Sequence, residues 1–526
     1  MDVLNLLKTI FTATNLIFMF LGMAAGTVIG ALPGLTATMG VAILLPLTFG
    51  MDSVTGMLTL LAVYCGGIYG GSITAILIKA PGTPASAATV LDGYPMSRRG
   101  EGGNALYAAL ISSVIGGIFS CIMLIFFAPK LAQAALKFGS PEYFSLALFG
   151  LTVISVATSK NAFKGLMMAS VGLLITMIGI DPIEGVTRFT FGSTNLSSGI
   201  ALVPAMLGAF ALTEVYVKVR DGDLSAGPAA GYSKASLKAR DLLKYWKTIL
   251  KASCIGTFIG AVPGTGAAIS SFLSYNEAKR ASKDPESFGK GNIEGVIASE
   301  TANNAVTGAT LIPLLTLGIP GDSVTAILIG ALMMQGIVPG PTLFVDDVYW
   351  VYAIMGGLVI INLLMFLEGK FFCRFFINVT KIPANVLIAV IMILCVLGSF
   401  AVNNAVFDVK VTLVFGILCY VLSRLDFPMT PLVISMVLGS LAERNLRQSL
   451  VMSKGSFSIF WSRPISVAFL AVTFLLLAVS VWKSLQESSK KSMEEVLLEE
   501  AGRVLEEADR DTAGKTSQSG KVGKEK

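Results

Sequence analysis

The sequence predicts an all-α polytopic membrane protein made of two homologous halves, with broken helices or hairpins near the midplane. Three observations carry that prediction. Hydrophobic residues make up 54% of the chain and charged residues 14%, where a soluble globular chain carries about 25% charged. Segment after segment reaches the roughly 20 apolar residues that a spanning helix needs. A set of Pro-Gly landmarks also occurs twice in the same order. Glycine is 54 of 526 residues, and glycine lets membrane helices approach closely.

In chain order, the apolar stretches of the first half fall near 9–32, 35–50, 54–78, 104–128, 142–157, 162–180 and 198–216. The first runs straight into a span with no small-residue cleavage site, so no cleavable signal is expected there. A polar interval follows. Residues 218–247 hold seven Lys/Arg against three Asp, which the positive-inside rule assigns to the cytoplasm. The second half offers stretches near 248–273, 295–318, 323–340, 348–372, 382–402, 408–424 and 428–442, and a last one near 464–483. Two of these, 35–50 and 323–340, are short or interrupted and read as hairpins that enter and leave on one side. The expected organisation is therefore a first repeat at 1–216, a basic linker at 217–247, a second repeat at 248–450, a final helix within 451–483 and a charged tail at 484–526. That tail packs ten acids and eight bases into its length. It reads as a short amphipathic helix followed by disorder.

The repeat rests on ordered echoes. Ile29-Gly-Ala-Leu-Pro33-Gly34 answers Ile259-Gly-Ala-Val-Pro263-Gly264, and Pro81-Gly82-Thr83 answers Pro320-Gly321-Asp322. Leu202-Val-Pro-Ala-Met-Leu-Gly208 resembles Leu432-Val-Ile-Ser-Met-Val-Leu-Gly439. Transporters built from repeats hold substrate and ion where matching broken helices meet.

The chemistry concentrates at those breaks. Gly70 and Gly71 remove side chains where backbone must come close, Ser72, Thr74 and Thr83 offer hydroxyls, and Pro81-Gly82 breaks the helix. A broken helix leaves an N-terminal end that attracts carboxylates and a C-terminal end whose carbonyls suit a cation. The structural alternative is a tightly packed glycine seam. In the second half Asn303, Asn304 and Thr307 precede Pro320, Gly321, Asp322 and Ser323. The amides can serve a carboxylate or an ion's shell. Asp322 can be a sodium ligand, can carry a coupled proton, or can simply cap the next helix, since Gly-Asp-Ser before an apolar run is a good helix start. Lys79 reads as a residue that snorkels to the interface. Glu300, Glu214 and Glu443 read as interfacial acids near span ends.

Composition also excludes. There are no histidines, which removes Ser-His and Cys-His catalysis and histidine proton relays. The six cysteines are scattered without C-x-x-C spacing and suggest no disulfide framework. No Gly-x-x-x-x-Gly-Lys-Ser/Thr motif is present, so ATP is not hydrolysed on this chain. Nucleic acid is not an expected partner, and neither is a bound cofactor beyond the coupling cation, sodium or proton. An intramembrane aspartyl protease would need a Gly-x-Gly-Asp pattern with a second membrane aspartate, and Gly318-Ile-Pro-Gly-Asp322 is wrongly spaced for it. An intramembrane enzyme or a passive organic-anion channel remains the alternative to a carrier.

Pro33-Gly34 before Leu35-Thr-Ala-Thr, the Tyr69-Gly-Gly-Ser-Ile-Thr segment, Pro81-Gly-Thr-Pro, Asp92-Gly-Tyr-Pro, Pro263-Gly-Thr-Gly and Gly318-Ile-Pro-Gly-Asp together resemble the large membrane subunit of the tripartite tricarboxylate transporters. The likeness spans about residues 1–480. It implies a multi-pass subunit of the bacterial inner membrane. It further implies a small partner subunit of about four helices, a periplasmic solute-binding protein and a small carboxylate as substrate. Coupling to a sodium or proton gradient is likewise implied.

Overall fold

The computed structural model describes residues 3–32, 35–157, 162–181, 183–221, 236–379, 384–480 and 482. They form helices, with one two-stranded antiparallel hairpin, Gly179–Ile180 against Thr187–Arg188. Seven of the described helices are long and apolar enough to cross a membrane: Ala13–Gly30, Ser53–Ile78, Gly102–Ala135, Ser140–Ala157, Leu202–Arg220, Val348–Phe372 and Val406–Arg424. Shorter apolar helices include Ala37–Thr48, Ser323–Met334, Ile388–Asn403 and Pro464–Ser480. Pro33, Gly34 and the whole 484–526 tail lie outside the described residues.

Two helices form the centre. Ser53–Ile78 starts at Asp52, whose carboxylate accepts the Val54 N–H at 3.1 Å. It is buried from Val54 to Leu77, as a helix apolar all round must be. Ile293–Ala309 is buried from Gly295 to Ala309 although it carries Glu300, Asn303 and Asn304. Small residues allow neighbours to reach both. A Cβ on Gly30 would stand 2.1 Å from the Gly67 carbonyl oxygen, and one on Gly256 would stand 2.5 Å from that of Ala302. The helices Ala13–Gly30 and Trp246–Ala261 thus lie directly on the two central ones.

The 248–273 stretch, expected as one span, is two helices. Trp246–Ala261 ends at Val262, and Gly266–Ala281 begins after Pro263 and Gly264, the latter at φ 80°. Pro263 has no N–H to continue the ladder, and Gly264 accepts a left-handed backbone that other residues resist. The 295–318 stretch is likewise divided, into Ile293–Ala309 and Leu311–Leu317. Asp92 ties the first half to the loop before the central helix of the second: its fully buried carboxylate accepts the N–H groups of Gly289, Gly291 and Asn292 and the Tyr275 hydroxyl. At the hairpin, the Ile183 N–H and the Arg447 guanidinium hold the Asp181 carboxyl down at about 2. Arg188 pairs there with Glu443, so Glu443 stands in an ion network.

Candidate functional site

Each central helix leads into a break, the second by way of Leu311–Leu317. Ser53–Ile78 stops at Lys79, which is left-handed at φ 62°. Pro81 and Gly82 follow, and a short turn at Pro84–Ser86 leads into the helix Ala87–Arg98. In the second half Leu311–Leu317 stops at Gly318, left-handed at φ 70°. Pro320 and Gly321 follow, and the helix Ser323–Met334 begins. Both restarts use a reciprocal capping box. In the first, Thr83 pairs with Ser86, the Thr83 N–H meeting Ser86 Oγ at 3.4 Å. In the second, the Thr325 N–H donates to the Asp322 carboxylate at 2.8 Å and the Asp322 N–H donates to Thr325 Oγ1 at 2.8 Å.

Close backbone contacts fix the loops. A Cβ on Gly82 would fall 1.9 Å from the Gly30 carbonyl oxygen, and one on Gly71 would fall 2.7 Å from Thr83 Oγ1. Gly321 packs on Thr310, where a Cβ would meet Cβ at 2.7 Å. The Gly264 N–H donates to the Gly321 carbonyl at 2.7 Å. The Pro263-Gly264 break therefore touches the Pro320-Gly321 break.

A side chain of the first central helix reaches the second break. Tyr64, fully buried, donates its hydroxyl to Asp322 Oδ2 at 2.7 Å. Asp322 Oδ1 also lies 2.7 Å from the Thr325 hydroxyl. Ser323 Oγ meets Thr430 Oγ1 at 3.0 Å. The acid at the second break is thus satisfied by three donor groups.

Glu300 was expected near a span end and instead is fully buried in the middle of Ile293–Ala309. Its carboxylate accepts the Thr89 hydroxyl and, at 3.3 Å, the Ser113 hydroxyl. Asn304 Nδ2 donates to Ser113 Oγ at 2.8 Å and holds it in place. The Ser72 hydroxyl and the Asn303 amide stand beside the same carboxylate, yet lack hydrogen-bond geometry to it, and neither finds another partner.

The predicted residues thus gather in three places. Gly264, Gly321, Asp322 and Ser323 gather at the second break, with Pro263 and Pro320 buried beside them. Gly71, Gly82 and Thr83 gather at the first, and Ser72, Asn303 and Asn304 join Glu300. Thr74 and Thr307 bond carbonyls of their own helices, those of Gly71 and Asn304. Gly70 serves packing against the Thr27 carbonyl, and Pro81 is exposed. Lys79, at the start of the first break, is exposed with its ammonium 5.9 Å from the Tyr94 ring. Tyr64, Thr89, Ser113 and Glu300 were not singled out as site residues. Glu300 is the one acid between Gly295 and Gly321, at helical spacing from Asn303 and Asn304, and that spacing was the available signal. Glu368, in Val348–Val379, is another buried acid, with neither oxygen hydrogen-bonded.

The family model described as the tripartite tricarboxylate transporter TctA family matches residues 16–434. A protein of Agrobacterium vitis, described as an uncharacterized 52.8 kDa protein in the TAR-I ttuC' 3' region, is 36% identical over 484 residues, covering 92% of this chain and 96% of that protein. A second from the same organism, described as an uncharacterized protein in the TAR-II ttuC' 3' region, is 36% identical over 231 residues, 44% of this chain and 96% of its own length. No solved structure matches this chain significantly.

Proposed function

The chain belongs to the tripartite tricarboxylate transporter TctA family, and from that premise we propose that it carries a small carboxylate across the bacterial inner membrane, driven by a cation gradient. As a multi-pass member of this family it is the membrane component of a tripartite transporter, a carrier rather than an enzyme. The solute, a tricarboxylate, dicarboxylate or related organic acid, arrives on a periplasmic binding protein. A small subunit of about four helices completes the assembly. The basic 217–247 linker faces the cytoplasm, and the two halves derive from duplication.

The observation that carries this reading is the Tyr64–Asp322 hydrogen bond. It joins a buried helix of one half to the broken loop of the other, at an acid set among apolar helices. Polar backbone of this kind is tolerated at depth only where protein or a wet cavity covers it, and an acid there marks a functional site. The solute carboxylate lodges between the Pro81–Thr83 and Pro320–Ser323 loops, where freed N–H groups and hydroxyls donate to it. Asp322 occupies the start of Ser323–Met334, so the first break, capped by neutral hydroxyls, offers the more favourable end for an anion.

The test is uptake of labelled tri- and dicarboxylates into proteoliposomes. Uptake is expected only with the chain, the small subunit, the loaded binding protein and an imposed sodium or proton gradient. Asp322→Ala and Asn303→Ala should abolish it at unchanged membrane abundance. Full transport by the chain alone, or wild-type uptake in both variants, would overturn the reading.

A further inference from the structure

Glu300 is a fully buried acid with no cationic side chain beside it among the described residues. Among the described residues its carboxylate meets two hydroxyls, and no lysine or arginine pairs with it. A carboxylate moved out of water loses far more than two neutral hydroxyls return, unless a cation accompanies it.

The surroundings supply what a cation needs. Ser72 and Asn303 are fully buried within reach of the carboxylate, and the Ser72 hydroxyl and both polar atoms of the Asn303 amide make no well-aligned hydrogen bond to it or to any other group. Orphaned polar atoms at such depth are uncommon and call for a ligand. With Thr89, Ser113 and the Glu300 carboxylate they bring five oxygen-bearing side chains together. Oxygen donors of this kind suit hard cations, and a single carboxylate matches a single positive charge. A proton would need only one acceptor and would leave Ser72 and Asn303 as they are. At Asp322, by contrast, three donor groups already occupy the carboxylate.

We propose that Glu300, Ser72, Thr89, Ser113 and Asn303 form a sodium site. It rests on the cation-coupled reading above and names the ion's ligands. The ligands come from four helices: Ser53–Ile78, Ala87–Arg98, Gly102–Ala135 and Ile293–Ala309. Ser72 and Thr89 lie on either side of the first break, in which Pro81-Gly82 sits. A bound ion therefore draws that loop's two flanks onto the central helix of the second half. Its departure frees the loop.

The test uses the purified full-length chain in detergent, without solute. Binding of ²²Na⁺ and the unfolding temperature are measured against potassium and choline at constant ionic strength. Wild type should show saturable sodium binding and a sodium-specific rise in unfolding temperature. Glu300→Gln should lose both, and Ser72→Ala and Asn303→Ala should bind about tenfold more weakly while unfolding as wild type does without sodium. Should Glu300→Gln fail to fold, the two alanine variants decide. No saturable binding in wild type, unchanged affinity in the alanine variants, or a response to pH with none to sodium would each overturn the site. Because no solute enters the measurement, failure of carboxylate uptake would overturn the transport reading and leave sodium binding to stand or fall separately.

Discussion

Laid on one another by their Pro-Gly breaks, residues 64–86 and 303–325 share a backbone plan and differ in charge. Lys79 falls on Gly318, and both are left-handed. Thr83 and Ser86 fall on Asp322 and Thr325, and both pairs are capping boxes. Gly71 falls on Thr310, and each lies under its own loop glycine. The side chains that cross between halves are dissimilar. Tyr64 reaches the second break and ends on Asp322, whereas Asn303, in the matching place, stands unpaired beside Glu300. The start of Ala87–Arg98 still meets an acid, through Thr89, but that acid comes from the other half. Small residues fix the plan, and the acids distribute the work.

The harshest way to break this comparison is to make the first box acidic. Thr83 is buried, so Thr83→Asp places a further unpaired carboxylate in the protein. It should cost about 3–5 kcal/mol, the penalty of an uncompensated buried charge, and the variant should vanish from the membrane fraction. Wild-type abundance on immunoblot would mean that the first loop is wetter than its burial indicates.

The reverse exchange separates cap from charge. Threonine caps helices nearly as well as aspartate, so Asp322→Thr should leave abundance close to wild type. The charge and the Tyr64 anchor go together, and a charge-assisted bond of about 2–3 kcal/mol corresponds to a fall of about hundredfold in uptake. Unchanged uptake would reduce Asp322 to a helix cap. Tyr64→Phe removes one neutral partner only. It should lower uptake about tenfold, in line with the loss of one hydrogen bond to a charged group of about 1.5 kcal/mol, and leave the capping box intact.

How far the sequence reached follows from distance along the chain. Proline and glycine act on their own backbone, so the breaks at 81–82, 263–264 and 320–321 were legible, as was Asp322 as a helix start. Partners chosen by packing were not. Tyr64 and Asp322 are 258 residues apart, and Thr89 and Glu300 are 211 apart. Glu300 read as interfacial because span edges were drawn from hydropathy, which counts an acid as an end. The polar helix Ile293–Ala309 is enclosed by neighbours that only tertiary contact supplies, among them Gly116, where a Cβ would meet the Thr301 carbonyl oxygen at 2.1 Å. The same hydropathy ran 248–273 together, because one Pro-Gly pair hardly lowers an average.

The left-handed exits give the finest test of the shared plan. Both elements turn at the same place, one on lysine and one on glycine. An L-residue in this region costs roughly 1–2 kcal/mol, and glycine avoids that at the expense of a more disordered unfolded chain. Lys79→Gly should therefore raise the unfolding temperature slightly, by the equivalent of about 0.5 kcal/mol. Gly318→Lys should lose more than the first exchange gains. It adds the left-handed strain, and its Cβ would stand 2.9 Å from the Pro339 carbonyl oxygen, which has no counterpart around the exposed Lys79. Equal and opposite shifts in differential scanning fluorimetry would make the two exits interchangeable. A larger loss at Gly318 would show that the second break is the more tightly enclosed of the two, as the acid it carries requires.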